Sequence, residues 1–304
     1  GKAGLGMAGG TDMIATLVAH DGLGQGDVSA ARDALAQAGL AVAPPVWIDA
    51  GEAVDLPFIG DRSVARAALE SLGLPADLCV LERGNRDCRL FIADMDSTMI
   101  TVECIDELAD YAGIKAQIAA VTERAMRGEL DFAEALAGRV ALLKGLAESV
   151  IEQCRLERVK IMAGARPLVR TLKARGARTI LVSGGFVPFA QPVGREIGFD
   201  VQIANVLHMA DGKLAGTVAQ PIVDAARKRA ELLGAIEALG IAPAQSIAIG
   251  DGANDIPMIE AAGLGVAYHA KPKTRAAADA AIERGDLGVL LHALGIARAD
   301  WVTD

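Results

Sequence analysis

The sequence predicts an α/β chain built on a doubly wound parallel sheet, with a helical block inserted into it and a small α+β unit ahead of it. Three observations carry this. Apolar runs of four or five residues, Leu90–Ala93, Arg178–Val182, Ser246–Ile249 and Gly265–Tyr268, alternate with stretches of helical periodicity, the pattern of parallel strands joined by crossover helices. Three of those runs stop abruptly at polar turns: Asp94-Met95-Asp96-Ser97-Thr98, Ser183-Gly184-Gly185, and Gly250-Asp251-Gly252-Ala253-Asn254-Asp255. Between the first and second lie some sixty residues of helical pattern alone.

The chain has 304 residues, long enough for two or three units, and is 52% hydrophobic, mostly Ala, Val, Leu and Ile. Met13–His20 reads as a strand, Ser29–Ala38 as a helix, Ala43–Ile48 as extended around Pro44 and Pro45, Arg62–Leu72 as a helix and Leu78–Leu81 as a strand. This β-α-β-α-β order defines the unit expected over 1–86, with the polar Gly84–Arg89 as linker. Ile105, Leu108, Ala109 and Ala112, then Ile118, Val121 and Ala125, then Phe132, Leu136, Val140 and Leu143 mark three helix faces in a cap expected over 103–162. Asp131 and Glu134 form a capping box at the third. The core is expected over 87–102 and 163–304. In it Arg166–Arg175 is a helix with Pro167 in its first turn and Gly176 at its end. Ala204–Met209 and Lys213–Val218 flank an Asp211-Gly212 hairpin, and Ala225–Leu239 and Asp255–Ala262 are helices.

A net charge of −9 disfavours nucleic acid as a partner. The longest uncharged runs, from Thr179 and from Gly39, are broken by Pro and Gly, so no membrane span is expected. Gly1–Gly10 are small and glycine-rich and form no secretory signal, which makes the cytoplasm the default location. Cys79, Cys88, Cys104 and Cys154 show no Cys-x-x-Cys pair, so neither a zinc cage nor a redox motif is expected.

In a parallel sheet every strand C-terminus lies on one edge, so the three polar turns converge although they span 160 residues. Asp94 can attack phosphorus and form an acyl phosphate, and Asp96 can serve as acid and base. Asp251 and Asp255 add two carboxylates, and four acids together call for a cation. Hard oxygen donors suit Mg²⁺, expected on Asp94, Asp251 and the backbone carbonyl of Asp96, with Asp255 in support. Ser183 and the N–H groups of Gly184 and Gly185 offer donors to phosphate oxygens, and Lys228 supplies a cation beside Asp94.

Asp94/Asp96/Thr98, Ser183, Lys228 and the Gly250–Asp255 turn, in that order, resemble the four motifs of the haloacid-dehalogenase-like (HAD) phosphatases. Glu103-Cys104-Ile105-Asp106-Glu107-Leu108 and Arg139-Val140-Ala141-Leu142-Leu143-Lys144-Gly145 are similar to the phosphoserine-specific branch. The resemblance spans roughly residues 90–295. It implies a Rossmann-like core and Mg²⁺-dependent hydrolysis of O-phospho-L-serine through a phosphoaspartate on Asp94, the last step of serine biosynthesis. It also assigns Glu103, Phe132, Arg139 and Asn254 to substrate recognition, and Thr98, Ser183, Gly184 and Lys228 are expected to bind the substrate with them. Phe132 and Arg139 are seven residues apart, ~10 Å along one helix face, so both can look onto one site, with Arg139 on a carboxylate and Glu103 on an ammonium. Phosphoryl transfer to another alcohol such as homoserine, and an amino-acid-binding scaffold without catalysis, are the alternatives. The N-terminal order is similar to ACT-like regulatory modules; dimerisation to a homodimer, regulation, or neither stays open.

Overall fold

The computed structural model describes residues 10–303; Gly1–Gly9 of the glycine-rich start lie outside them. The chain runs β1 (Asp12–Val18), α1 (Gln25–Gln37), β2 (Ala41–Val42), β3 (Val46–Asp49), β4 (Ala53–Ile59), α2 (Arg62–Glu70), β5 (Asp77–Glu82) and β6 (Leu90–Ala93). Four helices follow, α3 (Cys104–Asp110), α4 (Lys115–Met126), α5 (Phe132–Leu142) and α6 (Ser149–Arg158), then α7 (Ala165–Ala174), β7 (Arg178–Phe186), α8 (Val187–Ile197) and β8 (Val201–Asn205). The hairpin β9 (Leu207–Ala210) and β10 (Lys213–Val218), α9 (Ala225–Leu239), β11 (Ser246–Gly250), α10 (Ile256–Ala261), β12 (Leu264–Tyr268), α11 (Pro272–Ala277), β13 (Ala280–Ile282) and α12 (Gly288–Ala293) complete it.

One sheet of eleven strands runs through the molecule in the order β2-β4-β1-β5-β13-β12-β11-β6-β7-β8, with β3 also on β4. From β13 to β8 it is parallel. β6 is central: Leu90 and Ile92 pack into one apolar layer, Phe91 and Ala93 into the other, and all four are buried. That is why this strand reads as a continuous apolar run rather than an alternating one. From β6 the chain winds to β7 and β8 on one side and returns to β11, β12 and β13 on the other. The winding direction therefore reverses between β6 and β11, the crevice where doubly wound sheets bind ligands.

The N-terminal unit departs from expectation in two ways. Its order is β-α-β-β-β-α-β, because Ala53–Ile59, interrupted by Asp55 and Pro57, forms β4 beside β1. A proline in a central strand costs a ladder hydrogen bond, and here Pro57 falls between the short pairings that β2 and β3 make with β4. Counting β2 and β3 as one broken edge, the arrangement is a split β-α-β unit. The second departure concerns the joint. Gly84–Arg89 is no loose linker: Asn85 is buried and donates to the Ala244 carbonyl at 3.0 Å, and Arg86 pairs with buried Asp55 at 2.7 Å. The sheet itself continues across, with Leu78 of β5 opposite Ala281 of β13.

Other differences have local causes. β7 extends to Phe186 with its register shifted after Val182, so Ser183-Gly184-Gly185 lie in an irregular strand end rather than beyond it. The expected strand over 204–209 divides at Val206 between the main sheet and the hairpin. α8 is hidden in sequence by Pro188 and Pro192, while α6, α11, β13 and α12 are short pieces with little periodicity. Asp211 and Gly212 both have positive φ, as a two-residue turn between right-twisted strands requires. Among the described residues no helix is long and apolar enough to cross a membrane.

The helical cap is fastened at both ends. Its two connections to the core lie side by side: Thr101 N–H donates to Lys160 O at 3.0 Å and Met162 N–H to Met99 O at 2.9 Å. At its far end the loop between α5 and α6 pairs with the hairpin, through Gly145 N–H to Leu214 O and Leu214 N–H to Leu146 O, both 2.8 Å.

Asp77, at the start of β5, is buried and accepts three backbone N–H groups from the loop after β13: Glu283 at 2.8 Å, Arg284 at 3.0 Å and Gly285 at 2.7 Å. Hydrogen bonds to a charged acceptor contribute more than neutral ones, and removing it strands all three donors. Asp77→Ala is expected to lower stability by about 2–4 kcal/mol, read as a lower urea midpoint at unchanged slope.

Candidate active site

Three adjacent strands bring their C-terminal ends together as the turns predict. Asp94 extends β6, its N–H donating to Ile249 O of β11 at 3.0 Å, and Asp251 and Asp255 follow β11. Oxygens of Asp94, Asp251 and Asp255 lie within 4.8 Å of one another, and all three residues are buried. The Asp96 side chain stands outside this trio.

Lys228 decides the electrostatics. It lies on α9, whose start is set by Asp224 Oδ1 accepting the Arg227 N–H. Its neighbour Arg227 pairs outward with Glu231, but Lys228 has no exposed surface, and its Nζ donates to Asp94 Oδ1 and to Asp255 Oδ1, both at 2.8 Å. Burial alone would lower its pKa, yet Asp255 and Asp94 together hold the ammonium above its ordinary value. The basic Arg227-Lys228-Arg229 stretch is thus not simply a solvated helix face.

One cation does not balance the site. Burial, repulsion from Asp94 and repulsion from Glu103 push Asp251 well above the usual carboxylate range. Asp255 is pushed up to about 7 by burial and by Asp94, even against Lys228. Its Oδ2 accepts the N–H groups of Asp251 and Gly252 at 3.1 Å, and Thr98 Oγ1 donates to Asp251 Oδ1 at 2.9 Å. Thr98 is therefore spent on orienting a carboxylate and does not line the pocket, a correction to its expected place on the substrate. Three buried oxygen donors short of positive charge fit a hard divalent cation.

Above the carboxylates, a pocket under the cap is lined by Asp94, Asp96, Glu103, Phe132, Arg139, Ser183, Gly184, Gly185 and Asn254. Ile105, Met126, Leu136 and Phe186 supply its apolar wall. In sequence Ile105 and Leu136 are indistinguishable from helix-core positions, and Met126 carries no signal. The Phe132 ring presses on Gly184: a Cβ there would meet Phe132 Cζ at 2.7 Å, so only glycine lets the cap settle this closely. Ser183 Oγ accepts the Gly185 N–H at 2.8 Å, which commits one of the donors expected to face phosphate. Asn205, which the sequence does not single out, holds this strand end by donating to Gly184 O at 2.9 Å.

Asp96 is raised well above its ordinary value, first by burial and then by Glu103 and Asp94, and its Oδ1 is buried without a partner. Glu103 accepts from Ser97 Oγ at 2.8 Å and is also raised, chiefly by burial. Arg139 is buried; its Nε donates to Ala135 O at 2.9 Å and its Nη1 to Thr122 Oγ1 at 2.8 Å. The Asn254 amide lines the pocket with its Oδ1 buried and unpartnered.

A model of haloacid dehalogenase-like hydrolases matches residues 88–263. The chain belongs to this family. The hydrolase is 47% identical over 227 residues to a phosphoserine phosphatase of a Polaromonas species, a match covering 73% of this chain and 96% of that one. It superposes on a probable phosphoserine phosphatase of Vibrio cholerae with a TM-score of 0.73 at 34% identity, covering 95% and 88% of the two chains. A substrate-bound phosphoserine phosphatase structure gives 0.65 at 37% identity, covering 67% of this hydrolase and 97% of that protein.

The raised carboxyls link the fold to pH. A carboxyl whose pKa is higher folded than unfolded binds more protons in the folded state, so its contribution is favourable in acid and is lost as pH rises. For Asp255 the window runs from its unperturbed 3.8 to about 7. A divalent cation replaces those protons, so the gain in melting temperature on adding one to EDTA-treated protein is expected to be larger near pH 7 than near pH 5.

Proposed function

We propose that this hydrolase cleaves O-phospho-L-serine to L-serine and phosphate through a phosphoaspartate on Asp94, with Mg²⁺ held by Asp94, Asp251 and the backbone carbonyl of Asp96 and supported by Asp255, the reaction that completes serine biosynthesis. The reading rests on one juxtaposition. Asp94, beside Lys228, shares a pocket with a carboxylate, Glu103, and a buried guanidinium, Arg139, the two charges that an amino-acid head group would meet. The name borne by the relatives matches that pocket.

Asp94, with Oδ1 held by Lys228 and by the Met95 N–H at 2.8 Å, is oriented to attack phosphorus with its other oxygen. Asp96, whose carboxyl is pushed upward by burial, Glu103 and Asp94, donates a proton to the serine oxygen as the P–O bond breaks. It then takes a proton from the water that attacks the phosphoaspartate, releasing phosphate and freeing Asp94. Lys228 offsets charge at Asp94 throughout, and the Ser183 hydroxyl and Asn254 amide meet phosphate oxygens. When bound, Mg²⁺ would supply Lewis-acid stabilisation of the phosphoryl oxygens. Phe132 closes over the reacting atoms and excludes bulk water, so the acyl phosphate meets only water admitted beside Asp96. Four buried free thiols suit a reducing compartment, and the cytoplasm is the proposed location.

Phosphate release from O-phospho-L-serine is expected with Mg²⁺ and is expected to vanish with EDTA. Asp94→Asn should lower kcat by at least about a thousandfold while the circular dichroism spectrum stays that of the parent. Wild-type turnover by that variant would remove Asp94 as nucleophile.

A further inference from the structure

We infer that Thr122 and Asp106 form a positioning relay that aims Arg139 at the substrate carboxylate and so sets selectivity for a phosphorylated amino acid over a phosphorylated amine. The inference rests on the reading of Arg139 as the carboxylate site. Neither relay residue lines the pocket, and Thr122 lies outside the motifs that carry the resemblance.

The geometry is a chain across three cap helices. Arg139 on α5 donates through Nη1 to Thr122 Oγ1 on α4 at 2.8 Å, and Thr122 Oγ1 lies 2.5 Å from Asp106 Oδ1 on α3. The threonine hydroxyl has one proton, and Asp106 is a closer acceptor than the Ile118 carbonyl at 3.1 Å. A hydroxyl that gives its proton to a carboxylate is a better acceptor on its other side, so the guanidinium bond is strengthened by the anion behind it. Meanwhile Ala135 O fixes Nε. Two edges of the fork are thus pinned from within the cap.

The spacer hydroxyl also keeps the charges apart. Among the described residues Arg139 forms no ion pair within 4 Å, although Asp106, Glu103 and Asp96 all pull its pKa upward against the burial that lowers it. Had Asp106 met the guanidinium directly, a bidentate pair would have occupied the same donors that a ligand carboxylate needs. With Thr122 between them, Asp106 offsets part of the cost of burying Arg139, while among the described residues Nη2 has no hydrogen-bond partner and Arg139 opens onto the pocket.

Steady-state kinetics on the 304-residue chain with Mg²⁺ test this, using O-phospho-L-serine and O-phosphoethanolamine, which keeps the phosphate and ammonium but lacks the carboxylate. Thr122→Val, close in volume, is expected to raise KM for phosphoserine about tenfold with kcat within about twofold, and to leave kcat/KM for phosphoethanolamine within about twofold. Thr122→Ser should restore the parent values for both. Thr122→Ala, which cannot overpack the helix contact, should repeat the valine signature. Equal losses on both substrates, or an unchanged phosphoserine KM in Val and Ala, would overturn the relay. Arg139→Ala separates the two levels: if it lowers only phosphoserine turnover while the Thr122 variants do nothing, the relay alone fails. If it affects both substrates alike, the carboxylate reading fails and the relay with it.

Discussion

Lys228 is the residue on which the site depends. An ammonium with no exposed surface is tolerable only because two carboxylates meet it at hydrogen-bond distance, and those carboxylates, in turn, can lie this close only because it is there. Asp94 arrives at the end of β6, Asp255 in the turn after β11, and Lys228 from α9, so the triad ties three separate pieces of the parallel core across the crevice where the winding reverses. The arrangement leaves a surplus of negative charge centred on Asp251, and that surplus is what gives the carboxylates an appetite for a divalent cation.

The cap closes the same pocket from the other side. The carboxylates and Lys228 belong to the parallel core, whereas Glu103, Phe132 and Arg139 come from the inserted helices and their approach. Backbone pairing fixes the cap where its connections cross and again where the loop between α5 and α6 meets the hairpin. The edge around Met126 and Phe132 is held instead by side chains on glycines, Met126 against Gly252 and Phe132 against Gly184, with Lys271 pairing to Glu123 at 3.0 Å. Contacts of that kind are weaker than strand pairing.

The N-terminal unit is joined more tightly than its composition suggests. β1 buries Met13, Ala15 and Leu17 under its own helices and Ile14 and Val18 in the layer shared with the main core. Arg298 and His292, near the C-terminus, engage Glu52 in the turn before β4 and Asp49 at the end of β3, with His292 Nε2 2.7 Å from Asp49 Oδ2. An eleven-stranded sheet that spans both units gives a mechanical continuity that two domains on a linker would lack.

Sequence alone determined the catalytic edge. Apolar runs ending in Asp94-Met95-Asp96, Ser183-Gly184-Gly185 and Gly250–Asp255 can be strands of one parallel sheet in only one sense, and that sense brings their ends together whatever fills the space between. Tertiary structure decided what those residues do once there. It turned Thr98 from a substrate contact into a support for Asp251, and spent the Gly185 N–H on Ser183. It also drew Lys228 out of a basic helix face into full burial, and placed Thr122 and Asp106 behind Arg139. These outcomes depend on distances between residues far apart in the chain, which periodicity and spacing do not encode; the same holds for β4, whose proline is tolerated only because of the gap between two short partner strands.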